Sequence, residues 1–183
     1  MYVHLGSGSD TTAELKVTVA ANSANAKWNI LTQQIGCSTA WTAPDGCSMW
    51  LTGVTNSWSM YGYKDGQTTV EYIPSHNYNV CIRQEAGYCS IRHEVQTQTS
   101  FELTAKANNF QSAIGKNQRE RTTELRLIDY SGYAGSTECY TDFITIPNGS
   151  LDGNSPTFDR HCGHVLSSLS AGGTVNQPII SKC

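Results

Sequence analysis

Seven cysteines constrain the fold of this 183-residue chain more than any other feature. They form no C-x-x-C pair, which disfavours zinc binding and thioredoxin-type chemistry. We therefore expect a secreted, extracellular protein held together by disulfide bonds. The odd count leaves one thiol unpaired or available for an intermolecular bond, and the last residue, Cys183, is the natural candidate. The cysteines stand at positions 37, 47, 81, 89, 139, 162 and 183.

A glycosylation sequon supports the same compartment. Asn148-Gly149-Ser150 lies on a Pro-Asn-Gly turn, where glycans attach, and we expect Asn148 to carry one. The first residues, MYVHLGSGSD, lack the apolar core and cleavage site of a signal peptide. The sequence is therefore interpreted as a mature chain or a fragment.

Short runs of alternating or β-branched residues recur between turn signals, and no helical stripe is present. This pattern predicts an all-β sandwich or barrel. Two predicted strands lie near the N-terminus, at residues 14–20 and 28–35. Two more, at residues 78–82 and 89–95, flank a Gln-Glu-Ala-Gly turn and predict a β-hairpin.

This predicted hairpin bears on which cysteines can pair. If Cys81 and Cys89 were directly opposite, the apolar residues of the two strands would fall on opposite faces. A one-residue slip, supplied by a bulge at Gly87, places Cys89 with the apolar residues on the core face and turns Cys81 away. We therefore expect no bond between Cys81 and Cys89, and a more distant partner for each.

Charge and motif content disfavour several functions. The net charge of −3 gives no general attraction to nucleic acid, and no apolar run approaches the ~18 residues of a membrane span. Motifs of serine hydrolases, zinc proteases and P-loop enzymes are absent, so we predict no catalytic residues and no enzyme. His161 and His164 are interpreted as exposed histidines rather than metal ligands.

Over about residues 37–168 the sequence resembles the CUB domain, a disulfide-bonded extracellular antiparallel β-sandwich of the jelly-roll type. CSMWLTGVTNSWSMYGY is similar to the opening of that domain, and YNVC, ending at Cys81, to its second cysteine. GYCSIRHEVQTQTSFEL is similar to the turn, strand and Phe-x-Leu that follow. CYTDFITI, from Cys139, is similar to its Cys-x-x-Asp strand, and Cys162-Gly163 to its Cys-Gly. APDGC, YNVCIRQEAGYCSI and TDFITIPNG are especially similar to secreted CUB-containing proteins of arthropods and related invertebrates.

The resemblance implies a disulfide pairing and a domain organisation. It pairs Cys47 with Cys81 and Cys139 with Cys162, which leaves Cys37 to pair with Cys89. It implies a CUB-like sandwich over residues 37–183 with a long insertion at about 104–138, and an N-terminal extension over residues 1–36.

The chain departs from the family pattern at its ends. It stops at NQPIISKC, too early for the two closing strands of a CUB domain, whereas the segment from Glu14 to Ile35 resembles such strands. The plainer interpretation is a fragment of a tandem protein. The alternative is that these strands complete the sandwich of a neighbouring copy and build a head-to-tail polymer.

Several residues are candidates for binding. Asp142 matches a carboxylate by which many CUB domains bind calcium, but Thr104 stands where the family has a glutamate. Ca²⁺ is therefore weighed as a possible cofactor against an ordinary surface aspartate; Glu102, Glu138 or Asp159 could complete the site. Lys116, Arg119 and Arg121 in the insertion are weighed as a sulfated-glycan or acidic-protein site against a solvated loop. Trp28, Trp41, Trp50 and Trp58 are interpreted as core or half-buried residues rather than a recognition face.

The resemblance implies a non-enzymatic extracellular module for protein–protein or protein–glycan contacts. Its partners would be other extracellular proteins or further copies of the chain, not nucleic acid. One alternative is a structural subunit of an extracellular filament or matrix, assembled head-to-tail by β-strand donation. Another is the non-catalytic portion of a secreted protease.

Overall fold

The structure is a computed structural model, and it describes residues 1–5, 12–18, 27–63, 76–103 and 131–182. Within these ranges the chain forms strands, turns and bends, and no helix. The all-β prediction is therefore confirmed. The strands are β1 (Cys47–Leu51), β2 (Asn79–Ile82), β3 (Ser90–His93), β4 (Gly132–Ala134), β5 (Ile144–Gly149), β6 (Phe158–Gly163) and β7 (Ile179–Lys182).

The chain divides into two compact units. Unit 1 is Met1–Ala86 and unit 2 is Gly87–Cys183. The boundary predicted from the sequence, after residue 36, falls inside unit 1 and stays a prediction.

Unit 1 is built around one strand pair and one disulfide. β1 and β2 run parallel, with Trp50 opposite Cys81, which differs from the antiparallel pairing predicted for the whole sandwich. The disulfide between Cys47 and Cys81 joins the same two strands. Among the described residues of this unit, the buried apolar side chains are those of Ala43 and Cys47. Its core is therefore small.

Unit 2 contains an antiparallel three-stranded sheet and an antiparallel strand pair. The sheet has the order β4-β6-β5, and β3 pairs with β7. A bridge between Ser150 and Ile180 links the end of β5 to β7. Each apolar side chain buried between these elements contributes roughly 1.5–3 kcal/mol. The core consists of Ile146, Leu166 and Ile179, packed against Val95, Phe101 and Ile144.

Close backbone approach between β4 and its neighbours requires glycine. Gly132 lies opposite Gly163 in the β4–β6 pair. A Cβ atom on Gly132 would lie 1.8 Å from the carbonyl oxygen of Val165. This position therefore tolerates no side chain without a backbone shift.

The predicted hairpin over residues 78–95 is not formed. β2 pairs with β1 in unit 1, and β3 pairs with β7 in unit 2. The turn at Ala86-Gly87 thus separates two units instead of closing a hairpin. Cys89, which was expected on a core face, is exposed. The alternating pattern predicted the two strands, but their partners are set by residues far away in the sequence.

The predicted strands near the N-terminus are also absent where the structure describes them. Residues 12–18 and 27–36 form no strand. An alternating segment becomes a strand only when an edge accepts its hydrogen bonds and a core accepts its apolar face. Neither is provided to these segments in the described part of unit 1.

Candidate functional site

Two segments of unit 1 expose apolar side chains of the kind that proteins usually bury. We call residues 12–18 and 27–36 the N-terminal apolar segments. Exposed apolar side chains concentrated in short segments make these segments candidate contact sites with other molecules. The exposed fractions are 62% for Leu15, 45% for Val17, 60% for Trp28, 49% for Ile30 and 91% for Leu31.

The spacing of these residues matches the period of a β-strand. In an extended chain, residues two positions apart lie on the same face. Leu15 and Val17 would therefore share one face, as would Trp28 and Ile30. Each segment therefore has the alternation of side chains that would allow it to pair with the edge of a β-sheet.

The tryptophans of unit 1 are more exposed than the sequence suggested. Trp28, Trp41 and Trp58 are exposed, while Trp50 in β1 is half-buried. The interpretation as core or half-buried residues is therefore wrong for the first three. Burying an aromatic ring needs two opposed layers, whereas the described part of unit 1 offers one strand pair. Tyr63 is exposed as well.

The cysteines of the described residues form two disulfides, one in each unit. Cys47 is bonded to Cys81, and Cys139 to Cys162. Cys37 and Cys89 are exposed thiols without a disulfide partner. Because Cys37 belongs to unit 1 and Cys89 to unit 2, their predicted bond would link the units, and it stays a prediction.

The residues around Asp142 do not fit a calcium site. In the part of the chain that the structure describes, no group of three or more His, Cys, Asp or Glu side chains is placed to hold a metal ion. Of the carboxylates expected to help Asp142, Glu102 lies 3.2 Å from the ring of His164, and Asp159 accepts a backbone hydrogen bond. Calcium needs six to eight oxygen ligands, so we assign it no role.

Asn148 lies on a bulge of β5 and is exposed. Thr145 pairs with Arg160 and Gly149 with Phe158, so the intervening residues of β5 are extruded from the ladder. Asn148 adopts a left-handed backbone conformation, φ 53°, which asparagine tolerates. Its N–H donates a 2.8 Å hydrogen bond to a carboxylate oxygen of Asp159. This geometry leaves Asn148 accessible, and its glycosylation stays a prediction.

The predicted basic site lies outside the described residues. Lys116, Arg119 and Arg121 all fall between residues 104 and 130. Cys183, the candidate for an intermolecular bond, lies outside them too.

A cleft in unit 2 was not found from the sequence. It has a volume of about 330 Å³ and lies where the turn after β4 meets the turn at Ser170-Ala171. We call it the Glu138 cleft. Sequence reasoning named Glu138 only as a substitute calcium ligand, because nothing in the pattern brings residues 134–138 to residues 170–171. Its lining residues are Ala134, Gly135, Ser136, Thr137, Glu138, Phe158, Ser170 and Ala171.

Two histidines lie inside unit 2. His161 is fully buried, so its predicted exposure is wrong. Its Nδ1 lies 2.8 Å from the carbonyl oxygen of Ser167, and its Nε2 lies 3.2 Å from that of Phe158. Burial lowers the pKa of His161, although both carbonyl oxygens oppose this effect. The pKa of His93 is lowered as well, chiefly by burial and to a smaller extent by electrostatic repulsion from His161.

A comparison with protein families identifies the class of this fold. The model of the animal CUB domain matches residues 44–183, a range that includes the seven strands and two disulfides of the described residues. The chain therefore belongs to the animal CUB domain family. Comparisons with curated proteins and with solved structures find no match.

Family membership defines the general role. CUB domains mediate protein–protein contacts, are generally non-catalytic and are typical of extracellular proteins. Among the described residues, no helix is long and apolar enough to cross a membrane.

Proposed function

We propose that the chain acts outside the cell as a non-enzymatic interaction module, and that a second copy of the chain is one of its partners. The exposure of the N-terminal apolar segments carries this proposal. Leu15, Val17, Trp28 and Ile30 are all more than 40% exposed and have the spacing of a strand face.

Apolar burial and strand pairing together could support a complex of moderate stability. Full burial of one large apolar side chain stabilises by roughly 1.5–3 kcal/mol, and these four are about half exposed, so their burial provides about 3–6 kcal/mol. Association removes about 4 kcal/mol or more through lost translational and rotational freedom. Main-chain hydrogen bonds of an added strand contribute about 0.5–1.5 kcal/mol each, and with several of them the dissociation constant is about 1 µM or weaker.

A head-to-tail filament is the second candidate. The N-terminal apolar segments form no strand in the described residues, yet they alternate as strands do. Pairing with a sheet edge of a neighbouring copy would supply both main-chain hydrogen bonds and a buried face. Because such a contact is heterologous, it propagates unless the rotation closes a ring.

Sedimentation of the full chain over a range of concentrations tests the proposal. We expect reversible association in the micromolar range, and Leu15→Gln with Val17→Gln should weaken it about tenfold. The matched control, Lys16→Gln with Thr18→Gln, changes the two neighbouring residues that would lie on the opposite face of the strand. It should leave association unchanged. Electron microscopy of the associated material then separates filaments from closed dimers.

Two results would overturn the proposal. A fully folded chain that stays monomeric throughout the micromolar range has no self-contact of this strength. Equal weakening by the two double variants would show that the apolar face is not the contact. A repeat under reducing conditions separates association through side chains from a Cys183 disulfide.

A further inference from the structure

The residues that line the Glu138 cleft all belong to unit 2, whereas the N-terminal apolar segments belong to unit 1. The volume of the cleft, about 330 Å³, is at the lower end of the range for small-ligand sites.

The lining of the cleft offers several hydrogen-bonding side chains. Three hydroxyl side chains, Ser136, Thr137 and Ser170, are exposed at its rim. Glu138, which is half-buried, contributes a carboxyl group. Each hydroxyl both donates and accepts a hydrogen bond, so the rim can satisfy a ligand that presents several groups of both kinds.

One aromatic ring completes the lining. Phe158 is half-buried and lies beside Gly135. A Cβ atom at Gly135 would lie 3.3 Å from Cδ1 of the Phe158 ring, so a side chain there would cover part of the ring. Gly135 has a φ of 102°, a conformation that also favours glycine. The cleft thus keeps an apolar surface next to its hydroxyl groups.

The cleft is built on a fixed frame. The N–H of Ala134 donates to the carbonyl of Leu169 at 3.1 Å, which joins the two turns that form the walls. Cys139, directly after Glu138, is fully buried and bonded to Cys162. A ligand would therefore meet groups that are already positioned, which reduces the entropic cost of binding.

We propose that the Glu138 cleft binds one neutral sugar ring. The C–H face of a pyranose is apolar and packs on an aromatic ring, while its hydroxyls both donate and accept hydrogen bonds. The Phe158 ring would pack against the C–H face, and the rim hydroxyls and Glu138 would form hydrogen bonds with the sugar hydroxyls. The site extends the module's contacts from proteins to glycans.

The described lining carries no cationic group. Among the described residues that line the cleft, Glu138 is the only ionisable one, and none is a lysine, arginine or histidine. These residues offer an anionic sugar no cationic partner, in contrast to Lys116, Arg119 and Arg121, which were considered for a sulfated glycan.

Protein-observed NMR titration of the full chain tests this site. The probes are the methyl glycosides of glucose, galactose, mannose and N-acetylglucosamine. Nα-acetyl-lysine methylamide, whose side-chain amine stays charged, is the cationic probe. We expect at least one glycoside to bind saturably with a dissociation constant of about 1 mM, from the usual affinity per ligand atom. The shifted amide signals should belong to residues 134–138 and 170–171.

Variants separate recognition from folding. Glu138→Gln should weaken glycoside binding about tenfold, because a neutral amide accepts weaker hydrogen bonds. Glu94→Gln, on an exposed residue of the same unit that pairs with Arg92, is the matched control and should change nothing. If Glu138→Gln impairs folding, Ser170→Ala replaces it, since Ser170 is exposed, and binding should weaken about threefold.

Three results would overturn the proposal. Absence of binding by every glycoside at millimolar concentration excludes a sugar site. Binding of the lysine probe alone identifies a cation site instead. Glycoside binding that both Glu138→Gln and Ser170→Ala leave unchanged places the sugar elsewhere on the chain.

Discussion

Units 1 and 2 differ in how they use apolar residues. Among the described residues, unit 1 buries the apolar side chains of Ala43 and Cys47, while its tryptophans at positions 28, 41 and 58 are exposed. Unit 2 buries more apolar side chains, and three of them, Ile146, Leu166 and Ile179, form a packed core. Its buried apolar residues among those described are Leu103, Ala134, Cys139, Ile146, Cys162, Val165, Leu166 and Ile179.

The difference leads us to expect different local stabilities in the two units. Local stability follows the buried apolar contacts of each region. Among the described residues, unit 2 buries more apolar side chains than unit 1, which keeps several large apolar side chains exposed. Binding elements are often drawn from the less stable part of a protein.

Removing the disulfides should have the largest effect and tests the comparison directly. The two bonds span 34 and 23 residues, so each stabilises by about 3–4 kcal/mol in the loop-entropy estimate. Cys139 and Cys162 are also fully buried, and replacing both by alanine adds a packing loss of about 1 kcal/mol. We expect Cys139→Ala with Cys162→Ala to destabilise more than Cys47→Ala with Cys81→Ala.

Hydrogen exchange followed by mass spectrometry reads this result separately for each unit. Tryptophan fluorescence adds a probe of unit 1, because all four tryptophans precede Ala86. Loss of the Cys47–Cys81 bond should release protection in unit 1 and leave it in unit 2. Simultaneous loss of protection in both units would show that they unfold together and would remove the distinction.

The second prediction compares two glycines. Gly132→Ala in unit 2 places a Cβ against the Val165 carbonyl, and we expect a loss of about 3 kcal/mol from overpacking. Gly46→Ala in unit 1 meets no atom within 4 Å but has a φ of 82°, so the expected loss is about 1–2 kcal/mol of backbone strain. Urea unfolding measures both. A loss at Gly46 equal to that at Gly132 would contradict the comparison.

The third prediction concerns pH and should have the smallest effect near neutrality. Burial depresses the pKa of His161 and His93 in the folded chain, so below about pH 6.5 the unfolded chain binds more protons. Stability is therefore full above that pH and falls as the pH decreases towards the depressed folded values. The slope is at most about 1.4 kcal/mol per pH unit for each histidine.

The free energy of unfolding of unit 2, determined from hydrogen exchange at several pH values between about 7 and 5, gives this slope. His161→Gln should reduce the slope, although the carbonyl oxygen that accepts from the ring N–H, that of Ser167 or that of Phe158, then loses this donor and overall stability falls. His4→Gln, at an exposed position in unit 1, is the control and should leave the slope of unit 2 unchanged. If the stability of unit 2 does not change over this pH range, the expected contribution of His161 is excluded.

Local pattern predicted much of the fold. Alternating residues gave the positions of β2 and β3, and the absence of a helical stripe gave the all-β class. Strand partners could not be predicted in the same way, because β3 pairs with β7 across most of unit 2. A local alternation is the same whether a strand meets a neighbour, a distant strand or no strand at all.

The candidate sites show the same limit. Asn148 was identified because a sequon is contiguous in sequence. The Glu138 cleft was missed because two turns separated by more than thirty residues form it. Burial of His161 was missed as well, since its acceptors are backbone carbonyls, which carry no sequence signature.

The placement of the disulfides has a consequence for proteolysis. Both bonds among the described residues close within a single unit. After a protease cut near Ala86-Gly87, neither of these two bonds would join the resulting polypeptides. A bond between Cys37 and Cys89 would join them covalently after the same cut. The oxidation state of these two exposed thiols would then decide whether the cut chain migrates as one piece or as two on a non-reducing denaturing gel.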